Sequence, residues 1–206
     1  MSVHILNGDC LQATLQAENA LIVREMFLEG PLTADSWEAF FKNRAIYLEN
    51  TYSIPSDEYQ KKSVSEFQKM LEIANHSEVY LWFDYDLFCF INFLLVLQMI
   101  SQNKTLKLFL IRPLRKRSFR IWHGFGQHTK SELMHAYSLK KPLLRKEVKD
   151  LLCLWNKLGK KAVLKHHHLV PFLQKHLQDY PVFSQAKKIE ARWGLTEEQI
   201  KQILYR

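Results

Sequence analysis

Cysteine, glycine and proline are scarce in this chain of 206 residues, and long apolar runs are missing. The 3 cysteines form no CxxC pair and cannot all be paired with one another, which favours a reducing compartment over a disulfide framework. The longest apolar segment, 87–100, contains Asn92 and Gln98 and is shorter than the roughly 20 residues that a membrane span requires. The start of the chain lacks the pattern of a secretory signal. We therefore expect a cytoplasmic protein with no membrane partner.

The composition is otherwise that of a folded domain, with an uneven distribution of charge. Hydrophobic residues make up 47% of the chain and aromatic residues 13%, which excludes disordered, collagen-like and coiled-coil proteins. Residues 1–100 contain 6 Lys and Arg against 14 Asp and Glu, a net charge of −8, whereas residues 101–206 contain 23 against 7, a net charge of +16. The basic half favours an anionic partner, which is a nucleic acid, a nucleotide or the acidic half of the same chain.

Strand and helix patterns alternate in the first part of the chain. Buried-strand patterns lie at 3–7, 20–24, 78–83 and 105–111. Helical patterns separate them, at 11–18, 37–48, 64–71 and 87–101. These patterns predict an α/β fold of Rossmann-like type over residues 1–127, with a mostly parallel sheet of about four to five strands. Over residues 128–206 we expect an all-helical C-terminal part packed on that domain, with helices near 131–137, 143–158, 161–178, 184–192 and 197–205.

Polar side chains follow three of the predicted strands. Ligands of open α/β sheets bind at the carboxyl ends of the strands, so we expect these three loops to form one site. Their carboxylates suit a divalent cation or a general base, and an arginine among them suits an anionic substrate. The candidate catalytic residues are Asp9, Arg24, Glu29, Asp84 and Asp86 in these loops, and His123 in the loop after the fourth predicted strand. The candidate ligand-binding residues are Asn7, Gly8, Gly30, Gly124 and Gly126. A divalent metal such as Mg²⁺ would be bound by Asp9, Asp84 and Asp86.

Structural roles compete with each of these assignments. Asp9 and Asp84 precede predicted helices, where an aspartate commonly caps free backbone amides. Glu29-Gly30-Pro31, in the loop after the second predicted strand, also suits a simple turn. The same holds for the glycine-containing loop around His123. Cys10, at the start of a helix, suits a nucleophile with His123 as its base, although a buried structural cysteine fits the same position.

The basic half offers further alternatives. A basic run follows the fourth predicted strand and comprises Arg112, Arg115, Lys116, Arg117 and Arg120. This run gives residues 104–165 the charge of a nucleic-acid contact. The last two predicted helices have helix–turn–helix spacing around Gly194, but Glu197 and Glu198 would then face the phosphates, which favours a helical hairpin. The three histidines at 166–168 point about 100° apart on a helix and therefore do not form one metal site.

A series of short motifs runs through nearly the whole chain. It begins with His4-Ile5-Leu6-Asn7-Gly8-Asp9 and continues at 23–25, 28–31, 44–48, 81–88, 92, 123–127, 170–173, 176–177 and 180–181. In this order the motifs resemble a family catalogued as domain of unknown function 1835. The chain departs from the family at Val23, where tryptophan is usual, at Cys10, where serine is common, and at 84–86, where Glu-His-Asp is frequent. The resemblance implies motif positions and no activity.

The favoured interpretation is a protein that binds, and acts on, a phosphorylated or nucleotide-like ligand with a divalent metal. Phosphoryl chemistry depends on positioning and charge neutralisation, which carboxylates and an arginine supply. One alternative is a non-catalytic regulator that binds nucleic acid through residues 104–165. Another is a protein–protein adaptor in which the acidic half packs on the basic half.

Overall fold

The structure is a computed structural model, and it describes residues 1–27, 29–84, 87–114 and 124–160. The predictions that concern Asp86, His123, residues 115–120 of the basic run and the helices after residue 160 lie outside the described residues. The same holds for the helix–turn–helix spacing around Gly194 and for the three histidines at 166–168.

A five-stranded sheet forms the centre of the part of the chain that the structure describes. Its strands are β1 (Ser2–Asn7), β2 (Ala20–Val23), β3 (Glu78–Trp82), β4 (Lys107–Ile111) and β5 (Lys141–Pro142). They lie in the order β2-β1-β3-β4-β5, and all neighbours are parallel except β4 and β5. The α/β, Rossmann-like fold with a mostly parallel sheet is therefore confirmed.

The fifth strand lies in the part of the chain for which the sequence predicted helices alone. It has two residues, pairs with β4 in the antiparallel direction and includes Pro142. Proline is tolerated there because β5 is an edge strand and needs no further backbone donor. Two residues are too few for a pattern of alternating hydrophobicity, so the sequence carries no signal for this strand.

Helices cover both faces of the sheet. They are α1 (Asp9–Leu15), α2 (Trp37–Tyr52), α3 (Ser56–Tyr59), α4 (Ser65–Leu71), α5 (Leu87–Ile100), α6 (Lys130–Ser138) and α7 (Arg145–Lys160). A π-helical turn, Gln60–Val64, joins α3 to α4, and a 3₁₀ turn, Phe125–Gln127, precedes α6. Within the described ranges, no helix has both the length and the apolar character needed to cross a membrane.

The alternation of side chains along the strands divides the core into two layers. Val3 and Ile5 of β1 face a large cluster that includes residues of α2, α4, α5 and α7. Leu6 faces the opposite, smaller cluster, to which α1, the 3₁₀ turn and α6 contribute. Helix α5 is apolar almost all round because it is buried almost completely, and each large side chain buried there contributes about 1.5–3 kcal/mol.

The strand order determines where a ligand can bind. The chain runs from β1 to its neighbour on one side, β2, and later returns to its neighbour on the other side, β3, so the direction of winding changes between β1 and β3. The register aligns Asn7 with Val23, and Leu6 with Trp82. The loops after β1, β2 and β3 therefore leave from one common edge, which we call the carboxyl edge, as the sequence predicted. Ligands of open α/β sheets bind at such a switch point.

Candidate functional site

Arg24 and Asp9 form an ion pair at the carboxyl edge. The Nε atom of Arg24 lies 2.9 Å from both carboxylate oxygens of Asp9, and Nη2 lies 2.7 Å from Oδ1. Arg24 follows β2 and Asp9 begins α1 after β1, so the pairing of these two neighbouring strands brings the two side chains together. The carboxylate therefore occupies the Nε–Nη2 side of the guanidinium, which is the side that binds bidentate anions.

The π-helical turn forms two hydrogen bonds with Arg24. The Nη1 atom of Arg24 donates to the backbone carbonyl of Lys62 (3.0 Å), and the hydroxyl of Ser63 donates to the backbone carbonyl of Arg24 (2.8 Å). Ser63 is buried, so this contact fixes the main chain as well as the side chain. These bonds give the guanidinium a fixed orientation before any ligand arrives, and π-helical turns are frequent at functional sites.

The ion pair is partly exposed and electrostatically coupled. The Arg24 side chain is 31% exposed and the Asp9 side chain 63%. The hydrogen bond from Arg24, together with its positive charge, holds the pKa of Asp9 below its ordinary value. Asp9 is thus a carboxylate whose negative charge is already matched by a neighbour, at a position that solvent and small ligands can reach.

Gly8 shapes the turn between β1 and α1. Its φ of 98° and ψ of 160° define a conformation that is almost restricted to glycine. A Cβ atom on Gly8 would meet no atom within 4 Å, so the backbone conformation, and not crowding, requires glycine here. Gly8 is also the N-cap residue of α1 and supplies no side-chain hydrogen bond to this helix end. The capping role that the sequence allowed for Asp9 is therefore not seen, because its carboxylate binds Arg24.

A second, buried ion pair lies beneath the loop that follows β2. The Nη2 atom of Arg44 is 2.7 Å from Oε1 of Glu25, and both side chains are almost fully buried, at 0% and 1% exposure. Arg44 also donates to the backbone carbonyls of Met26 (3.1 Å) and Glu29. The guanidinium lies 5.3 Å from the centre of the Phe27 ring. One arginine thus binds the segment after β2 at Glu25, Met26 and Glu29.

Asn92 connects this loop to the end of β1. Its amide nitrogen donates to Oδ1 of Asn7 and to the backbone carbonyl of Glu25, both at 2.9 Å, and its oxygen accepts from the backbone N–H of Phe27. Asn7 in turn donates to the sulfur of Cys89 (2.8 Å). The side chain of Asn7, a candidate ligand-binding residue, therefore faces α5 and links the strand to that helix.

Glu29 and Gly30 lie against α2. The carboxylate of Glu29 accepts from the hydroxyls of Tyr47 (3.3 Å) and Tyr52. Burial, with the charge of Glu29 as the next cause, raises the pKa of Tyr47. Gly30 has a φ of 80°, and a Cβ atom there would lie 2.6 Å from the guanidinium of Arg44. Glycine is therefore required at this position for both conformation and packing.

Asp84 connects the end of β3 to the 3₁₀ turn. Its Oδ1 atom accepts from the backbone N–H of Phe125 (3.0 Å). Arg112, which follows β4, donates to the backbone carbonyls of Phe83 (3.0 Å) and Asp84. The two candidate glycines of this region differ in their surroundings, since Gly124 is buried and Gly126 is exposed with open space where a Cβ would lie.

The predicted site residues thus form two groups along one edge of the sheet. Asn7, Gly8, Asp9, Arg24, Glu29 and Gly30 lie at the carboxyl ends of β1 and β2 or in the segments that follow them, whereas Asp84, Gly124 and Gly126 lie in the segments that follow β3 and β4. Across 1–27, 29–84, 87–114 and 124–160, no three His, Cys, Asp or Glu side chains are placed to bind a metal ion together. Asp9 and Asp84 therefore do not form a metal centre with other described residues, and Asp86 lies outside these ranges.

A cavity of about 220 Å³ lies away from these residues, near the amino ends of β1 and β2. His4 lines it together with Ser2, Leu15, Ala17, Glu18, Asn19 and Met134. The indole N–H of Trp82 donates to Nδ1 of His4 (3.0 Å), and burial lowers the pKa of this histidine. The predicted site residues do not contribute to this cavity.

The residues that hold the loops in place were not predicted from the sequence. Arg44 is the clearest example, because it occupies a core position of α2, three residues after Phe41 and four before Leu48. A charged residue on an apolar stripe indicates a buried partner. Asn92 gives the same signal within the apolar helix α5. Lys62 and Ser63 give no such signal in the sequence, because their hydrogen bonds to Arg24 depend on the π-helical turn.

No family model matches the chain, and neither the curated proteins nor the solved structures contain a match to it. The resemblance to the family of domain of unknown function 1835 therefore stays a prediction.

Proposed function

We propose that this protein binds a phosphorylated, nucleotide-like small molecule at the carboxyl edge of the sheet, with Arg24 as the main contact to the anion. The observation that carries the proposal is the fixed orientation of the Arg24 guanidinium, which is anchored by the carbonyl of Lys62 and directed towards the turn at Gly8 and Asp9. An arginine that is oriented in advance loses less conformational freedom on binding than a mobile one.

Two further features support a ligand at this position. The turn after β1, which contains Gly8 and Asp9, borders the point where the direction of winding changes between β1 and β3, the usual location of ligands in open α/β sheets. Open space surrounds the Cβ position of Gly8, so a ligand can approach the backbone closely there. Together these features suit a flat or elongated molecule with a phosphate at one end.

The remaining candidate residues suggest how such a ligand could be turned over. Asp84 lies in the loop after β3, the strand next to β1. Asp86 and His123, the candidate anion contact of the basic half, lie outside the described residues. Carboxylates next to a phosphate suit a general base, or Mg²⁺ in a phosphoryl-transfer or hydrolytic reaction. We propose binding as the function to test first, and Mg²⁺ as an additive in that test.

The experiment is a thermal-shift screen of the full chain against inorganic phosphate, sugar phosphates and nucleoside mono- and triphosphates, each with and without Mg²⁺. A ligand at a hundredfold excess over its dissociation constant stabilises the native state by about 2.7 kcal/mol, which is readily seen as a higher Tm. The Arg24→Gln variant should lose this shift. Arg145→Gln, which removes an exposed arginine at the start of α7, should retain it.

The same screen separates the alternatives. Duplex and single-stranded oligonucleotides are added at two salt concentrations, because binding through the basic half would weaken steeply with salt as fewer counterions are released. A salt-dependent shift with oligonucleotides and none with small phosphates would contradict the proposal and favour nucleic-acid binding. No shift with any of these ligands would contradict both and favour the adaptor.

A further inference from the structure

The contacts of Asp9 are those of an anion bound to Arg24. Its Oδ1 atom lies within hydrogen-bond distance of both Nε and Nη2, and its Oδ2 atom within that distance of Nε, as the oxygens of a bound phosphate would. The third nitrogen of the guanidinium, Nη1, is held by the carbonyl of Lys62. The Nε–Nη2 side, which a phosphate would bind, is thus already occupied by a carboxylate of the same chain.

We propose that Asp9 is a displaceable internal occupant of the Arg24 anion site, and that a phosphate group binds by taking its place. This inference rests on the proposed function and gives Asp9 a role other than metal binding or base catalysis. The side chain of Asp9 is 63% exposed, so its carboxylate can turn into solvent when a ligand arrives. Ser63 and Lys62 keep Arg24 in position during the exchange.

The proposal reverses the expected effect of removing this carboxylate. Replacement of a catalytic or metal-binding aspartate by asparagine reduces activity or metal binding. Replacement of an aspartate that competes with the ligand weakens its ion pair with the arginine and so raises the affinity for phosphate. The Asp9–Arg24 pair is partly exposed, and pairs of this kind are weak, so its loss should tighten phosphate binding by about two- to fivefold. Removal of the negative charge next to the incoming phosphate acts in the same direction.

The test measures dissociation constants for inorganic phosphate, with and without Mg²⁺, by isothermal titration calorimetry at low ionic strength, with the full chain. We compare the parent with Asp9→Asn, Arg24→Gln and the double variant. Glu72→Gln is the matched control, because it removes one exposed negative charge at the end of α4, on the turn that leads to the start of β3. Far-UV circular dichroism confirms that each variant is folded.

The expected result is tighter binding in Asp9→Asn, parental binding in Glu72→Gln, and at least tenfold weaker binding in both proteins that lack Arg24. Binding in Asp9→Asn alone, with none in the parent, would support the proposal equally. Weaker binding in Asp9→Asn together with loss in Arg24→Gln would overturn the displacement role and leave the proposed function standing. Loss of an Mg²⁺-dependent affinity in Asp9→Asn would overturn it in the same way. No phosphate binding in the parent or in Asp9→Asn would overturn both.

Discussion

Replacement of Arg44 by methionine should be among the most damaging single changes that the chain can undergo. The substitution keeps an unbranched side chain in the core but leaves the carboxylate of Glu25, which is 1% exposed, without its cationic partner. Removal of one member of a buried ion pair costs about 3–5 kcal/mol. The carbonyls of Met26 and Glu29 lose a donor as well, and since Glu29 is half-buried, water can replace part of that loss. We therefore expect a loss of about 4 kcal/mol, against a total stability of about 5–15 kcal/mol for a typical domain.

Urea unfolding at pH 7, followed by far-UV circular dichroism, measures this loss as a change in the unfolding midpoint at constant slope. The double variant Glu25→Leu with Arg44→Met removes both charges and should recover most of the stability, because apolar side chains of similar volume often replace a buried ion pair at little cost. Arg145→Met is the control for removal of an exposed arginine. A loss below about 1 kcal/mol in Arg44→Met, or a double variant less stable than the sum of the single changes predicts, would refute the reasoning.

Two further predictions concern the turn at Gly8 and the titration of His4. Gly8→Ala should destabilise the protein by about 1–3 kcal/mol because of its backbone conformation, while Gly126→Ala, with the same open space, should change stability by less than about 0.5 kcal/mol in the same unfolding assay. The folded-state pKa of His4 lies below its ordinary value of 6.5, so its contribution to stability is complete above pH 6.5 and is lost as the pH falls from there through the folded pKa. A Tm series from pH 8 to pH 5 should therefore fall more steeply for the parent than for His4→Gln, and an equal or shallower fall in the parent would contradict this assignment.

The sequence predicted the sheet and most of its helices because buried parallel strands are continuously apolar. The four longer strands lie where expected, and their ends differ by one or two residues. The first helix ends at Leu15, three residues before the predicted end, because Gln16 adopts a left-handed conformation with a φ of 54°. No glycine marks this helix end, so the sequence gives no sign of it. The π-helical turn is equally hidden, since its residues continue an ordinary helical pattern from α3 into α4.

The position of the candidate site could be predicted from the sequence, but the hydrogen-bond partners of its side chains could not. The alternation of strands and helices sufficed to place the loops of Asp9, Arg24 and Asp84 at one edge. The partners depend on tertiary packing, which sequence separation does not reveal. Arg24 meets Lys62, 38 residues further along the chain, and Asn92 meets Asn7 across 85 residues. The sequence therefore could not show whether Asn7 faces a ligand or whether Asp9 caps a helix. Both questions depend on side-chain directions, which the folded structure provides.

The order of the strands has a consequence for how this chain folds. Strand β1 pairs with β2 after one short helix, but its other neighbour, β3, lies more than 70 residues away along the chain. Pairing at such a distance requires closure of a long loop, which slows folding relative to structures built from local contacts. Until β3 arrives, one edge of β1, with the apolar residues Ile5 and Leu6, is open to strands of other molecules. Intermolecular pairing and correct folding therefore compete at this edge of β1 until β3 pairs with it.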